Sequence, residues 1–125
     1  MSPRTLAEVA QDTLDGESFG MSLANFLDGF YFKPAGEALL ETPATLKGKV
    51  EEGEVKDAYL AATAEELARR YKYKMPEWIW EEERKLHRPW FAPSPQSIRG
   101  ILILESPVGF RSRNLFVSEN ALSRA

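Results

Sequence analysis

The sequence predicts an all-α fold, an irregular single domain of about six helices over residues 1–125, with one short strand left open in its C-terminal half. Three observations lead to this prediction. Apolar residues recur at helical spacing in several segments. Strand-type alternation is almost absent, and no Asn-Gly or Asp-Gly turn joins strand-like runs. The 125 residues, 43% of them hydrophobic, suffice for one core and show no internal repeat or composition shift.

The first two helices are predicted from their caps and apolar stripes. Thr5 and Glu8 form a Thr-x-x-Glu capping box, which predicts a helix over Leu6–Leu14 that ends at Asp15-Gly16. Ser22 is predicted to cap the second helix. The apolar stripe of that helix consists of Leu23, Phe26, Leu27, Phe30 and Tyr31.

A short helix and a loop are predicted next. Pro34 suits the first position of a third helix, which carries Leu39 and Leu40 and ends at Thr42-Pro43. The following segment, Lys47–Gly53, is polar and contains glycine, which is typical of a loop.

The longest periodic segment is Glu54–Tyr71, and its broad apolar band predicts a central helix with neighbours on two sides. A second capping motif leaves a break near Ala62 open, whereas the richness in Ala, Glu, Leu and Arg favours a continuous helix. After a short connector, Pro76 opens a predicted helix over Glu77–Leu86.

Prolines interrupt the helices after this point, because proline lacks the amide hydrogen that a helix needs. The three prolines that bracket an aromatic loop are Pro89, Pro93 and Pro95. Ser94-Pro95 and Ser106-Pro107 each offer a cap followed by proline, which predicts helices over Gln96–Leu104 and from Val108 onward.

The C-terminal segment contains two further predictions. The apolar run Ile101–Leu104 leaves a short strand as the alternative to helix. Ser118 is predicted to cap a last turn through Leu122.

Composition and charge exclude several classes of protein. The formal charge is −3, with 11 acidic and 5 basic residues in positions 1–62 and 8 acidic and 11 basic in positions 63–125. A net negative charge opposes non-specific binding to nucleic acid or anionic lipid. There is no apolar run of roughly 20 residues and no signal-peptide core, so a cytoplasmic protein without a membrane partner is predicted. The lack of cysteine excludes disulfides and thiol chemistry.

The inventory of reactive groups predicts no catalytic, cofactor-binding or metal residue. His87 is the single histidine and there is no cysteine, so the usual zinc ligands are missing. Nucleophile elbows and glycine-rich phosphate loops are also missing. The run Glu81, Glu82 and Glu83 is typical of a solvated helix face, since consecutive side chains diverge by about 100°. An enzyme remains as a hypothesis only if distant carboxylates meet in a cleft.

The predicted partner-binding surface is aromatic and basic. Residues two apart on a helix point in nearly opposite directions, so only one of Trp78 and Trp80, and at most one of Arg111 and Arg113, can face the core. Tryptophan and arginine are enriched at interface anchors. The predicted residues are Trp78, Trp80, Trp90, Phe91, Arg111, Arg113 and Phe116. The segment Arg69–Lys74 interleaves basic and aromatic residues and is the candidate for nucleic-acid contact.

Several stretches together resemble a set of short uncharacterised bacterial proteins. These stretches are residues 105–118, the pattern Leu23-x-x-Phe26-Leu27-Asp28-x-Phe30-Tyr31, the tetrad Asp57-Ala58-Tyr59-Leu60, and Leu67-Ala68-Arg69-Arg70-Tyr71. Such proteins look like antitoxin-type or accessory partners, some of them encoded beside nucleotidyltransferase-like proteins. The shared motifs serve packing and capping, so the resemblance implies no catalytic residues.

These observations predict a non-enzymatic protein-binding module, an antitoxin-like partner of another bacterial protein such as the adjacent gene product. The alternative is a nucleic-acid-binding regulator that uses the basic and aromatic C-terminal surface. Association with a second copy of the chain stays open.

Overall fold

The computed structural model describes residues 2–93 and 99–124, and it confirms the predicted, mostly helical class with very little strand. The α-helices are α1 (Leu6–Leu14), α2 (Phe19–Phe32), α3 (Gly53–Tyr71), α4 (Arg99–Glu105) and α5 (Val108–Arg111). The strands are β1 (Trp90–Phe91) and β2 (Leu115–Phe116), and 3₁₀ turns occupy Gly36–Leu39, Glu77–Trp80 and Glu82–Arg84. Within the described ranges, no helix combines the length and apolar character that crossing a membrane requires.

Helix α1 has the predicted bounds. The Thr5 hydroxyl oxygen accepts a hydrogen bond from the Glu8 amide at 3.1 Å, as a capping box requires. The Glu8 carboxylate accepts from the amide of Arg4 at 2.6 Å, one residue before the predicted donor, Thr5. The buried face of α1, which includes Leu6 and Val9, packs against α2.

Helix α2 begins earlier than predicted, so the prediction of Ser22 as its cap is wrong. The cap is Ser18, whose hydroxyl oxygen accepts from the Met21 amide at 3.2 Å and thereby satisfies one free amide of the first turn. Ser22 is buried one turn into the helix, where its hydroxyl donates to Asp12 Oδ2 at 3.0 Å and joins α2 to α1.

The predicted third helix is reduced to the single 3₁₀ turn at Gly36–Leu39. Leu39 is fully buried, and its carbonyl accepts a hydrogen bond from Trp78 Nε1 at 2.9 Å. A tertiary hydrogen bond therefore uses the carbonyl that a longer helix would direct to its own next turn.

Helix α3 is the centre of the domain and runs without a break through Ala62, so the alternative of two helices is wrong. Thr63 donates its hydroxyl to the carbonyl of Tyr59 at 2.8 Å and does not cap a new helix. The buried side chains of α3 include Ala58, Leu60, Ala61, Ala62, Ala64, Leu67 and Ala68. The two later 3₁₀ turns, α5 and β2 all pack on α3, which accounts for its broad apolar band.

The loop before α3 is held by a close approach and by a buried carboxylate. A Cβ at Gly53 would lie 2.1 Å from the carbonyl oxygen of Leu46, so this position requires glycine. Asp57 is buried, and its carboxylate accepts from the amides of Leu46 at 2.7 Å and Lys47 at 3.1 Å. These contacts fix the predicted loop to the first turns of the helix.

The predicted helix over Glu77–Leu86 is wrong, because two 3₁₀ turns separated by an extended Glu81 take its place. Trp78 and Ile79 are both buried, and the Trp78 indole reaches the carbonyl of Leu39, 39 positions earlier in the chain. Arg84 is also fully buried. Tertiary packing therefore overrides the helical propensity of this segment.

The C-terminal half contains the small sheet. Strands β1 and β2 are parallel, with Trp90 opposite Leu115 and Phe91 opposite Phe116. The alternative of a strand at Ile101–Leu104 is wrong, because these residues belong to α4. Residues 94–98 lie outside the described residues, and with them the predicted cap and start of this helix at Ser94-Pro95 and Gln96.

The last segments dock on the rest of the domain. The predicted helix from Val108 is the single turn of α5, and its N-cap is Pro107 without a side-chain bond. Ser106, the predicted cap, is buried and bonds to the backbone of Val117 instead. Ser118 caps a turn through its hydroxyl, which accepts from the Asn120 amide at 3.1 Å. The Tyr31 hydroxyl of α2 donates to the Leu122 carbonyl at 2.8 Å.

Candidate functional site

The two neighbouring tryptophans point in opposite directions, as the sequence predicts. Trp78 is 4% exposed, donates its Nε1 hydrogen to Leu39 and lies under the guanidinium of Arg84, whose carbon is 4.9 Å from the ring centroid. Trp80 is 64% exposed. The structure therefore places Trp78 in the core and leaves the side chain of Trp80 largely in contact with water.

Arg113 supports the exposed Trp80 from the protein side. Its guanidinium carbon lies 5.5 Å from the centroid of the Trp80 ring, in a cation–π arrangement. Arg113 itself is buried, and its Nη2 donates to the carbonyl of Ile79 at 3.0 Å, next to Trp80. The predicted contact residue Arg113 thus acts within the domain, while Arg111 is exposed, so the expectation that only one of them faces inward is confirmed.

The Arg113 guanidinium is held by one carboxylate of α3 and by a carbonyl of α5. Arg113 Nη1 donates to Glu65 Oε1 at 2.6 Å and to the Gly109 carbonyl at 2.7 Å. Glu65 also pairs with Arg69. Burial raises the pKa of Glu65, but the hydrogen bonds and charges of Arg113 and Arg69 outweigh burial and hold it below its ordinary value. Glu65 is therefore a carboxylate at neutral pH.

Helix α5 is fixed by the neighbouring carboxylate. The amide of Gly109 donates to Glu66 Oε2 at 2.8 Å, and a Cβ at this glycine would lie 2.9 Å from the same oxygen. Glu66 also accepts from Arg69 Nη1 at 2.8 Å. These contacts, together with those of Arg113, give Trp80 a rigid base that the sequence pattern did not reveal.

A second buried arginine, Arg84, joins the 3₁₀ segment to α3. Its Nη2 donates to the carbonyl of Pro43 at 2.6 Å, and its Nη1 lies 3.7 Å from Asp57 Oδ1. Burial raises the pKa of Asp57, while the amides of the preceding loop and the charge of Arg84 oppose this rise. This pair serves packing and lies away from solvent.

The remaining predicted contact residues lie on the small sheet. Phe91 and Phe116 stack with ring centroids 5.1 Å apart, and the guanidinium carbon of Arg99 is 4.7 Å from the Phe91 ring centroid. Trp90 donates its Nε1 hydrogen to Glu52 Oε2 at 3.2 Å. All three rings are half-buried, so each keeps part of its surface in contact with water.

Trp90 also forms one wall of a groove between α2, the start of α3 and the C-terminal residues. The groove has a volume of about 310 Å³ and is lined mainly by apolar side chains, among them Phe19, Leu23 and Tyr59. Burial raises the pKa of the Tyr59 hydroxyl. Glu52 lines the groove but is engaged by Trp90. Sequence reasoning missed this groove because the residues that line it are spread from Phe19 to Arg124 and come together only in the folded chain.

The sequence predicts helix α4, but it does not reveal how much of the helix is exposed. Most of the apolar side chains of α4 are in contact with water, and only Leu102 among them is buried. The apolar run Ile101–Leu104 carries no signal for which of its side chains face the core.

The basic and aromatic segment after α3 is largely engaged inside the molecule. The rings of Tyr71 and Tyr73 stack 5.8 Å apart, and both contact Phe30 edge-on. Arg69 is paired with carboxylates, and Arg70 Nη1 donates to the Tyr31 hydroxyl at 3.3 Å. All four cations of the segment, Arg69, Arg70, Lys72 and Lys74, are exposed, and the two lysines lie just beyond the end of α3.

His87 is exposed and lies beside a shallow depression of about 230 Å³ together with Lys47, Glu54, Glu82 and Glu83. Across the described part of the chain, no three histidine or carboxylate side chains group as metal ligands would. Comparison of the chain with protein-family models, with curated proteins and with solved structures gave no match.

Proposed function

We propose that this chain is a non-enzymatic, cytoplasmic protein-binding module, an antitoxin-like partner of another bacterial protein such as the adjacent gene product. The observation that supports the proposal is the state of Trp80, which is 64% exposed yet held from behind by Arg113. Large exposed aromatic side chains of this kind are the usual anchors of protein interfaces.

The support of Trp80 matters because binding costs less when the anchor is already ordered. Each rotamer-rich side chain that becomes immobilised in an interface costs about 0.5–1.5 kcal/mol. Arg113 is tied to Glu65, to Gly109 and to the carbonyl next to Trp80, so its guanidinium limits the positions of the indole ring before any partner arrives. Arg111, exposed two residues away, can pair with a carboxylate of the partner.

The test is co-expression with the adjacent gene product, followed by purification and titration of the two proteins. We expect a stoichiometric complex, and Trp80→Ala should weaken it by about thirtyfold, as loss of a hot-spot side chain does. Phe32→Ala is the matched control, because Phe32 is 91% exposed and lies on α2. A chain that never associates with the adjacent product, or equal weakening by both substitutions, would contradict the proposal.

The alternative function is a nucleic-acid-binding regulator that uses the exposed cations Lys72 and Lys74 or Arg111. It has less support, because Tyr71 and Tyr73 stack on each other and are not free as platforms for bases. Titration of single- and double-stranded DNA and RNA separates the two functions. Affinity that falls steeply with salt concentration would favour the regulator.

A further inference from the structure

Helix α4 presents an uncharged apolar face to solvent. Ile101 is 55% exposed, Ile103 43% and Leu104 81%, and Val108 just beyond the helix is 52% exposed. Only Leu102, at 5%, reaches the core. The charged residues of α4, Arg99 and Glu105, are its first and last residues, so none lies in the middle of this face.

This exposure is unusual for a helix. An amphipathic helix turns polar residues to water, whereas a helix that is apolar all round is normally covered. The four exposed side chains leave roughly 400 Å² of apolar surface in contact with water, as large as the largest patch of a typical monomer, which is often functional. A further molecule is therefore expected to cover α4.

The shape of the face is complementary to itself. Gly100 and Leu104 are each two residues from the buried Leu102, and both therefore point away from the core. Leu104 is the most exposed apolar residue of this face, while a Cβ at Gly100 would meet no atom of the described residues within 4 Å. The exposed face of α4 therefore has a protruding side chain, Leu104, and a gap one turn away, at Gly100.

We propose that a second copy of this chain covers α4, with the two α4 helices packed antiparallel. The two-fold axis crosses the exposed face of the helices at the level of Leu102. In this arrangement Leu104 of each copy lies over Gly100 of the other, because the two positions are equally far from the axis. Such a closed, isologous contact uses the same patch on both copies. The absence of a side chain at Gly100 lets the helices approach closely.

The charges around the face favour a second copy over a charged partner. Arg99 is stacked on the ring of Phe91, and no other cation or carboxylate of α4 faces the middle of the patch. The middle of the patch offers no complementary charge to an acidic or basic partner, whereas a second copy brings the same uncharged surface. Two such patches bury roughly 800 Å² or somewhat more, below the about 1,200 Å² of stable specific interfaces, so the dimer is expected to be weak and reversible.

The first test is sedimentation equilibrium of the wild-type chain between about 1 μM and 1 mM, the range of weak dimers. The average mass should rise with concentration towards that of a dimer. Leu104→Glu should raise the dimer dissociation constant roughly tenfold or more, because it places a charge in the apolar contact. The control Phe32→Glu also replaces an exposed apolar side chain with a charged one, but on α2. It should leave association unchanged. Melting curves check that both variants fold.

The second test uses the absence of cysteine in the natural chain. Gly100→Cys and Leu104→Cys chains, mixed and then oxidised, should form the 100–104 disulfide faster than either chain pairs with itself. Faster pairing of Leu104→Cys with itself would overturn the antiparallel arrangement.

A wild-type chain that stays monomeric at every concentration would overturn the dimer, and so would equal loss of association in the Phe32→Glu control. A monomer that binds phospholipid vesicles through Leu104 would assign the face to a membrane surface and also overturn the proposal. Trp80 takes no part in this contact, so failure of the dimer leaves the proposed partner binding to be judged by its own titration.

Discussion

Arg113 and Glu65 are 48 residues apart in the sequence, yet their side chains form a buried ion pair with Nη1 and Oε1 2.6 Å apart. The pair joins the end of the α5 turn to the middle of α3. Because Arg113 also donates to two backbone carbonyls, most of its hydrogen-bonding capacity is used inside the protein. The same guanidinium lies against the ring of Trp80, with its carbon 5.5 Å from the ring centroid.

Removing the arginine should therefore destabilise the whole domain. Arg113→Ala removes the hydrogen bonds from Arg113 to the carbonyls of Ile79 and Gly109, and it leaves Glu65 paired with Arg69 alone. We therefore expect a loss of about 3 kcal/mol in the free energy of unfolding. Urea denaturation measures it. The control is Arg111→Ala, an exposed arginine two residues away that should change stability by less than about 0.5 kcal/mol. Similar losses in both variants would contradict the role given to the buried pair.

The same pair predicts how stability depends on pH. The pKa of Glu65 is lower in the folded protein than the ordinary value of 4.5. The ionised Glu65 therefore stabilises the fold at pH values above 4.5, and this stabilisation is lost as the pH falls through the folded-state pKa. Glu65→Gln should be less stable than wild type at neutral pH, and the difference should shrink on acidification towards about pH 3. Urea denaturation across this range tests it, with the exposed Glu37→Gln as control. A difference in stability between wild type and Glu65→Gln that grows as the pH falls would contradict this prediction.

Gly53 and Gly29 make a matched pair for the effect of a methyl group. Gly53→Ala would push a Cβ against the Leu46 carbonyl, which is backbone and cannot move aside, so we expect a loss of about 1–3 kcal/mol or more. Gly29 lies within α2, and a Cβ there would meet nothing within 4 Å, so Gly29→Ala should add about 0.5–1 kcal/mol. The melting temperature should fall for Gly53→Ala and rise for Gly29→Ala. A shift in the same direction for both variants would contradict the roles given to the two glycines.

The end of α3 offers a stabilising substitution. Lys72 is exposed and adopts a left-handed conformation with φ 59°, which suits glycine better than a residue with a Cβ. Lys72→Gly should increase the free energy of unfolding by about 1 kcal/mol. Lys74→Gly is the control, and it should be neutral or slightly destabilising because Lys74 lacks a positive φ. Calorimetry of the two variants decides the matter.

The parts of the fold that local signals determine were predictable from the sequence. Thr5 and Asp15-Gly16 gave the bounds of α1, because caps act within one turn. The periodicity of α3 predicted a long central helix, and its alanines and leucines indeed carry it through Ala62. The sequence also predicted that only one residue of each pair, Trp78 with Trp80 and Arg111 with Arg113, would face inward.

The failures lie where distant residues decide the backbone. The segment after Pro76 has helical propensity, but it must bury Trp78 beneath Leu39 and Arg84 beside Asp57, partners about 40 and 27 positions away. The support of Trp80 by Arg113 and the groove beside Trp90 depend on the same long-range contacts. The exposure of helix α4 was not predictable for a different reason, since hydrophobicity alone does not show whether an apolar run is buried or exposed.

The docking of the Leu122 segment on Tyr31 has a consequence for synthesis on the ribosome. Helices α1 to α3 leave the exit tunnel before Phe110, Leu115, Val117 and Leu122, which supply part of their core. The nascent helices therefore expose apolar surface until these later residues have also emerged. Contacts such as that of Tyr31 with Leu122, 91 positions apart, raise the contact order, so folding is expected to be slower than that of simple helical bundles.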